Sequence, residues 1–196
     1  MNDGKKYQVK NNGVWVGTDE NSGHMEFYGL KKGIELFLKE KNANSVVDFG
    51  CGCGGYSKHL RNKGFHVECY DGNPNTPENT NYMCKVCDLS VKLELNKKFD
   101  FVLSLEVGEH IPKKYEKIFI ENIHRHNKHG VIISWATLNP YQGGIGHVNN
   151  RDNKYIIDCF TKLGYVNDIE SQNKIKKSIK CKTLWFHESL MVFIRR

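Results

Sequence analysis

Glu106, Glu109 and His110 stand together in the run Ser104-Leu105-Glu106-Val107-Gly108-Glu109-His110-Ile111-Pro112. Two carboxylates and an imidazole so close in the chain can converge on one divalent cation through oxygen and nitrogen. The same groups can instead order a helix start or move a proton. A further ligand has to come from elsewhere. His147, in the Gly- and Asn-rich stretch 137–150, is the best placed, since a histidine there has little packing reason to be present. His147, His110 and Glu109 are therefore the candidate catalytic residues, and Glu106, Glu109, His110 and His147 the candidate metal ligands.

A second cluster surrounds Gly50-Cys51-Gly52-Cys53-Gly54-Gly55. Closely spaced glycines let the backbone turn sharply and approach a ligand, and the helix that follows offers its positive end. Gly50-x-Gly52-x-x-Gly55 also fits the dinucleotide fingerprint, with Asp71 at a plausible distance for a ribose. Asp48, two residues before the first glycine, argues otherwise. A carboxylate there would repel a pyrophosphate and suits a cofactor carrying an ammonium group. Asp71 and Asp88 follow at the ends of the next two expected strands.

These residues need a scaffold. Phe27, Leu30, Ile34, Phe37 and Leu38 keep helical spacing and predict a helix over 26–41. The run 45–49 reads as a buried strand. A helix to Asn62 ends at Gly64. Strands follow at 66–70, 81–86, 99–105 and 130–136, with Asp71-Gly72-Asn73-Pro74 as turn chemistry. Pro112 opens a helix presenting Tyr115, Ile118, Phe119, Asn122 and Ile123, and another helix runs over 151–163. Two last strands, 165–169 and 188–194, are expected as an antiparallel pair joined by a basic loop. Repeated strand–helix units imply a mostly parallel, doubly wound sheet, whose ligands lie at the carboxyl ends of its strands.

Asp48-Phe49-Gly50-Cys51-Gly52, taken with Asp71 and Asp88, resembles the first motifs of the class I S-adenosylmethionine-dependent methyltransferases. The resemblance spans residues 26–196 and implies a Rossmann-like α/β fold. It implies seven mostly parallel strands with one antiparallel, and helices on both faces. Residues 1–25 would form an N-terminal segment and candidate lid, to which His24 would belong. By that resemblance Gly50 and Gly52 line the methionine part of the cofactor, Asp71 holds the ribose hydroxyls, and Asp88-Leu89 meets the adenine edge.

The Glu106-x-x-Glu109-His110 pattern is similar to the metal-dependent O-methyltransferases. These include enzymes of small-RNA 3′ ends and of the ubiquinone pathway. The likeness implies Mg2+ or Mn2+ chelating two vicinal acceptor oxygens. Ser134-Trp135-Ala136, the glycine-rich loop with Gln142, and His147-Val148-Asn149 resemble sugar O-methyltransferases of large DNA viruses. The expected acceptor is thus a glycan sugar hydroxyl, with an RNA ribose as the alternative. A non-catalytic cofactor-binding partner is the reading from another class.

Composition narrows the class. The 196 residues, 39% hydrophobic and 26% charged, suit one globular domain. No apolar run is long enough to span a bilayer, and the first ten residues lack a signal-peptide core. A cytoplasmic location is expected, that of a host cell if the protein is viral. The net charge of +7 keeps RNA in view. Its densest cluster is Lys174, Lys176, Lys177, Lys180 and Lys182. Seven cysteines, an odd number, suggest reduced thiols, with Cys84 and Cys87 as two packed thiols.

Overall fold

The computed structural model describes residues 8–17, 25–181 and 185–196. Two short strands, β1 (Gln8–Val9) and β2 (Trp15–Val16), pair antiparallel near the start. Helix α1 (Tyr28–Glu40) buries Leu30, Ile34, Phe37 and Leu38, the residues at helical spacing. Strand β3 (Ser45–Phe49) leads through the glycine turn into α2 (Gly55–Asn62), and β4 (His66–Asp71) follows. Next come α3 (Thr76–Asn79) and β5 (Lys85–Val86), then β6 (Phe99–Ser104), α4 (Glu116–Arg125) and β7 (Asn127–Ser134). The chain closes with α5 (Asn153–Lys162), β8 (Tyr165–Asn167), α6 (Ile169–Ser178), α7 (Phe186–Ser189) and β9 (Leu190–Arg195).

Seven strands form one sheet in the order β5-β4-β3-β6-β7-β9-β8. β9 runs antiparallel to both neighbours, and the other pairs are parallel. Both faces are covered, as the near-continuous apolar strands require. Val47, Val102, Val131 and Phe193 pack with Phe119 of α4 and Phe160 of α5. Their alternate neighbours Val46, Phe101, Ile132 and Val192 pack with α1 and with Ile175 of α6. The Rossmann-like fold expected from the sequence is present.

The chain departs from β3 to one edge and returns to place β6 on its other side. That reversal opens a crevice at the carboxyl ends of β3 and β6, where ligands bind in such sheets. It brings the glycine turn and the Glu106–His110 segment together.

Three local expectations are corrected. The strand expected over 81–86 shrinks to Lys85–Val86, because Asn81 and Tyr82 take left-handed conformations (φ 49° and 60°) that no ladder accommodates. The basic loop between the last strands is largely helix α6. Asp168 caps it by accepting from the Ser171 amide at 2.9 Å, and Ser171, Ile175 and Ile179 bury one face at four-residue spacing. The lysines between them masked that period.

The third correction concerns the cysteines. They are not all free thiols: Cys69 and Cys84, in register on β4 and just before β5, form a disulfide with Cα atoms 4.8 Å apart. Cys84 therefore does not pair with Cys87, which is a free thiol packed against the core. His24 and Lys182 lie outside the described residues.

Candidate active site

A cavity of 510 Å³ occupies the crevice. Asp48, Gly50, Gly52, Asp71, Asp88, Leu89, Glu106, His110 and His147 all line it, so the fold assembles nearly every residue singled out from sequence. Glu109 does not line the cavity; it is wholly buried directly behind it.

In the half beneath the glycine turn, Asp48, Asp71 and Asp88 each accept at least one hydrogen bond from the protein. Gly50 takes φ 81° and backs onto Val107, whose Cγ2 would lie 2.3 Å from a Cβ there, so only glycine fits. Asp71 accepts from the Gly52 amide and the Asn73 amide, both at 2.9 Å, which fixes the turn. Asp48 is 3% exposed, and Ser57 Oγ donates to it at 2.7 Å. Burial pushes its carboxyl up to about 7; the Ser57 hydrogen bond opposes that and the Asp71 charge adds to it. A cationic ligand group would be the natural counter-charge. Asp88 accepts from Asn12 Nδ2 at 2.8 Å, and also from the Ser90 amide and hydroxyl.

The opposite half is different. Glu106 adopts φ 55°, its amide donates to Ser134 Oγ at 2.8 Å, and its Oε1 accepts from Ser189 Oγ at 3.2 Å. Neither carboxylate oxygen of Glu109 makes a well-formed hydrogen bond, although the Ala136 backbone and the Glu106 carboxyl lie close to it. Burial, then the nearby Glu106 charge, hold the Glu109 carboxyl far above the usual carboxylate range. His147 Nδ1 is likewise buried without a partner, and burial lowers the ring's pKa, keeping it neutral. The His110 and His147 rings meet edge to face with centroids 4.8 Å apart. One ligand atom each from Glu109, His110 and His147 can be chosen so that all lie within 4.8 Å of one another.

These atoms suit a divalent cation: a buried acid and a neutral imidazole lack partners in one small space. Glu106 stands beside that group: its carboxyl lies close to that of Glu109, while its Oε1 accepts from Ser189.

Trp135 is fully buried and donates to the Asn149 carbonyl at 2.7 Å, so it packs in the core. Gln142 and Asn149 are occupied too: Gln142 binds the Thr137 amide and Glu188, and Asn149 binds Glu116.

Other residues that line the cavity were missed: Trp15, Glu26, Tyr56, Tyr141 and Trp185. Trp15 comes from the β1–β2 hairpin, and its Nε1 donates to His110 Nδ1 at 3.2 Å. The hairpin is also held by Asn73 Nδ2 donating to the Gly17 carbonyl at 3.0 Å. Nothing in the spacing of Asn12 or Trp15 announces such distant partners.

Charge decides between the cofactors weighed from sequence. The lining includes Glu26, Asp48, Asp71, Asp88 and Glu106, but no lysine or arginine among the described residues. Such a cavity repels phosphates and draws cations, inside a chain whose net charge is +7. That charge disfavours a dinucleotide's pyrophosphate. The seven-stranded fold, the glycine turn at the strand-order reversal and the acidic crevice define a class I methyltransferase domain that uses S-adenosylmethionine.

The chain belongs to the methyltransferase-domain family, whose model matches residues 22–168. It is 34% identical over 116 residues to a probable chloroplastic tocopherol O-methyltransferase of Oryza sativa, covering 51% of this chain and 31% of that protein. It is 26% identical over 148 residues to the ubiquinone biosynthesis O-methyltransferase of Rickettsia typhi, covering 69% and 59%. The chain thus matches less than two thirds of these relatives' length.

Among solved structures it resembles a sugar N-methyltransferase from a Streptoalloteichus species, with TM-score 0.67, 12% identity, and 89% and 90% of the chains covered. It also resembles the magnesium protoporphyrin IX methyltransferase of Synechocystis, with TM-score 0.65, 16% identity, and coverages of 85% and 82%. Identities this low speak for the fold. Among the described residues no helix is long and apolar enough to cross a membrane.

Proposed function

We propose that this domain transfers the methyl group of S-adenosylmethionine to a hydroxyl that has a second oxygen beside it, with Glu109, His110 and His147 holding a divalent cation such as Mg2+ or Mn2+. The observation that carries this reading is that buried polar atoms without a well-formed hydrogen bond, the Glu109 carboxylate oxygens just behind the cavity and His147 Nδ1, gather with His110 within 4.8 Å of one another. Leaving such groups unsatisfied costs about 1–3 kcal/mol each, which a bound cation would offset. The cofactor supplies an electrophilic methyl group, and a bound cation lowers the pKa of the acceptor hydroxyl.

The chain's own residues do the rest. Asp48 and Glu26 present negative charge for the cofactor's ammonium group, Asp71 its carboxylate oxygens for the ribose hydroxyls, and Leu89 an apolar wall for the adenine. Trp15 fixes the His110 ring through Nδ1, and the β1–β2 hairpin serves as a lid over both halves. With neighbours held in line, positioning supplies much of the rate.

For the acceptor we retain a glycan sugar hydroxyl of rhamnose type, whose ring could lie against Trp15 or the 96%-exposed Tyr141. A specific observation favours a second reading. The cavity rim carries exposed apolar side chains, Met25, Tyr141 and Ile145, which suit a catechol-like ring with an apolar substituent. That reading accords with the names of the tocopherol and ubiquinone relatives. The absence of lysine and arginine from the described lining weighs against RNA.

Methyl transfer to a panel of rhamnosides, catechols and RNA 3′ ends, with and without a chelator, tests the whole. Product from a sugar or catechol that disappears on chelation and returns with Mg2+ or Mn2+ is expected. Activity indifferent to chelation would remove the metal, and transfer to RNA alone would remove both acceptor readings.

A further inference from the structure

Beneath the glycine turn lies a second group of potential ligands that the methyl-transfer chemistry does not use. The sulfurs of Cys51, Cys69 and Cys84 all lie within 4.8 Å of one another. Each comes from a different part of the cofactor floor: Cys51 from the turn between Gly50 and Gly52, Cys69 from β4, and Cys84 from the approach to β5. Cys69 and Cys84 are 2% exposed and joined by a disulfide, while Cys51 is a half-buried free thiol. The Cys84 sulfur reaches the turn itself, lying 3.0 Å from where a Cβ on Gly54 would stand.

We propose that, once a dithiol reductant opens the Cys69–Cys84 bridge, Cys51, Cys69 and Cys84 form a three-sulfur site for one thiophilic cation such as Zn2+. The opening step balances: the dithiol is oxidised to its own disulfide, and its two electrons and two protons leave two thiols on the protein. The cation then displaces thiol protons to solvent as the sulfurs become ligands.

The geometry is close to what such a site needs. Tetrahedral bonds of about 2.3 Å place sulfurs about 3.8 Å apart. The bonded pair must therefore separate and Cys51 close in by small movements. Three thiolates select soft cations over Mg2+, so this site would not compete with Glu109, His110 and His147.

The surroundings explain why Cys51 is a bystander while the bridge is closed. Burial, then the Asp48 and Asp71 charges, push its thiol well above the ordinary range, so it stays protonated and a poor nucleophile. A cation would reverse that balance by placing positive charge beside the Cys51 sulfur. On the far side, Arg61 Nη2 lies 3.9 Å from the Cys69 sulfur, favouring thiolate there once the bridge is open. Bound in this way, the cation would add a link between the cofactor turn and the approach to β5, beside the bonds that the Gly50 and Cys51 amides already make to the Tyr70 carbonyl of β4.

Cadmium titration of the reduced and the oxidised protein, read by sulfur-to-metal charge-transfer absorbance, tests the site, because that signal does not report Glu109, His110 or His147. One equivalent is expected for the reduced protein and none for the oxidised one. Cys51→Ser should weaken binding by at least about tenfold, since losing even an outer-shell partner can cost that much. Cys53→Ser and Cys87→Ser should bind as the parent does. If Cys51→Ser melts at room temperature, Cys84→Ser takes its place with the same loss expected. Equal binding by the oxidised protein, or undiminished binding by the folded serine variant, overturns the site.

Discussion

The two halves of the cavity are built on opposite principles. Under the glycine turn, every carboxylate has donors from the protein: Asp48 from Ser57, Asp71 from two backbone amides, Asp88 from Asn12 and Ser90. Across the cavity, the Glu109 carboxylate oxygens and His147 Nδ1 are buried with no well-formed hydrogen bond. The first half is preorganised and complete without its ligand. The second holds stored cost that a ligand must relieve, which is the usual mark of chemistry and not of packing. Binding the cofactor and activating the acceptor should therefore respond separately to mutation.

The largest effect expected is on the second half alone. His147→Ala or Glu109→Gln should lower methyl transfer by about 10²- to 10⁴-fold, while calorimetry finds S-adenosylmethionine binding within about twofold of the parent. A matching loss of cofactor affinity would erase the distinction between the halves. Next, Asp71→Ala strips the acceptor from the Gly52 and Asn73 amides as well as from the ribose. Cofactor Kd should rise roughly ten- to a hundredfold, as for other hydrogen bonds to charged groups. A variant that binds normally would show that the turn holds its shape without Asp71.

A smaller effect separates the halves by pH. Asp48 holds its proton to about pH 7 in the unliganded protein, and the cofactor's ammonium group favours the ionised form. Binding should release a proton and weaken by about tenfold from pH 8 to pH 6. Asp48→Asn should flatten that profile.

The smallest effect sharpens the contrast through stability. Glu109 keeps its proton in the folded chain well above 4.5, where the unfolded chain loses it. Stability from this group is thus lost as pH rises through that window. Glu109→Gln, which has no charge to bury, should melt a few degrees above the parent at pH 8, with the gap closing toward pH 5. The same substitution then stabilises the fold and damages activity, as expected for a residue kept for function.

Much of this was legible in the chain. The β-branched run 45–49, the glycines after it and the Asp71-Gly72-Asn73-Pro74 turn stated their structure locally, because backbone preference and apolar spacing act over a few residues. Helix α6 was not legible, since its buried Ser171, Ile175 and Ile179 are diluted by lysines and an asparagine. The early stop at Asn81 and Tyr82 depends on backbone conformations that neither residue type demands.

The amino-acid sequence by itself determined the α/β class and the glycine turn flanked by Asp48 and Asp71, because each is written in short-range pattern and residue chemistry, and it singled out Glu106, Glu109, His110 and His147 as candidates by residue type. The tertiary structure alone decided the rest. It buried Trp135, turned Glu106 toward Ser189, brought Trp15 to His110 across 95 positions of sequence, and joined Cys69 to Cys84. Those outcomes follow from how strands and loops far apart in the chain are packed against each other, and no local propensity encodes a partner at that distance.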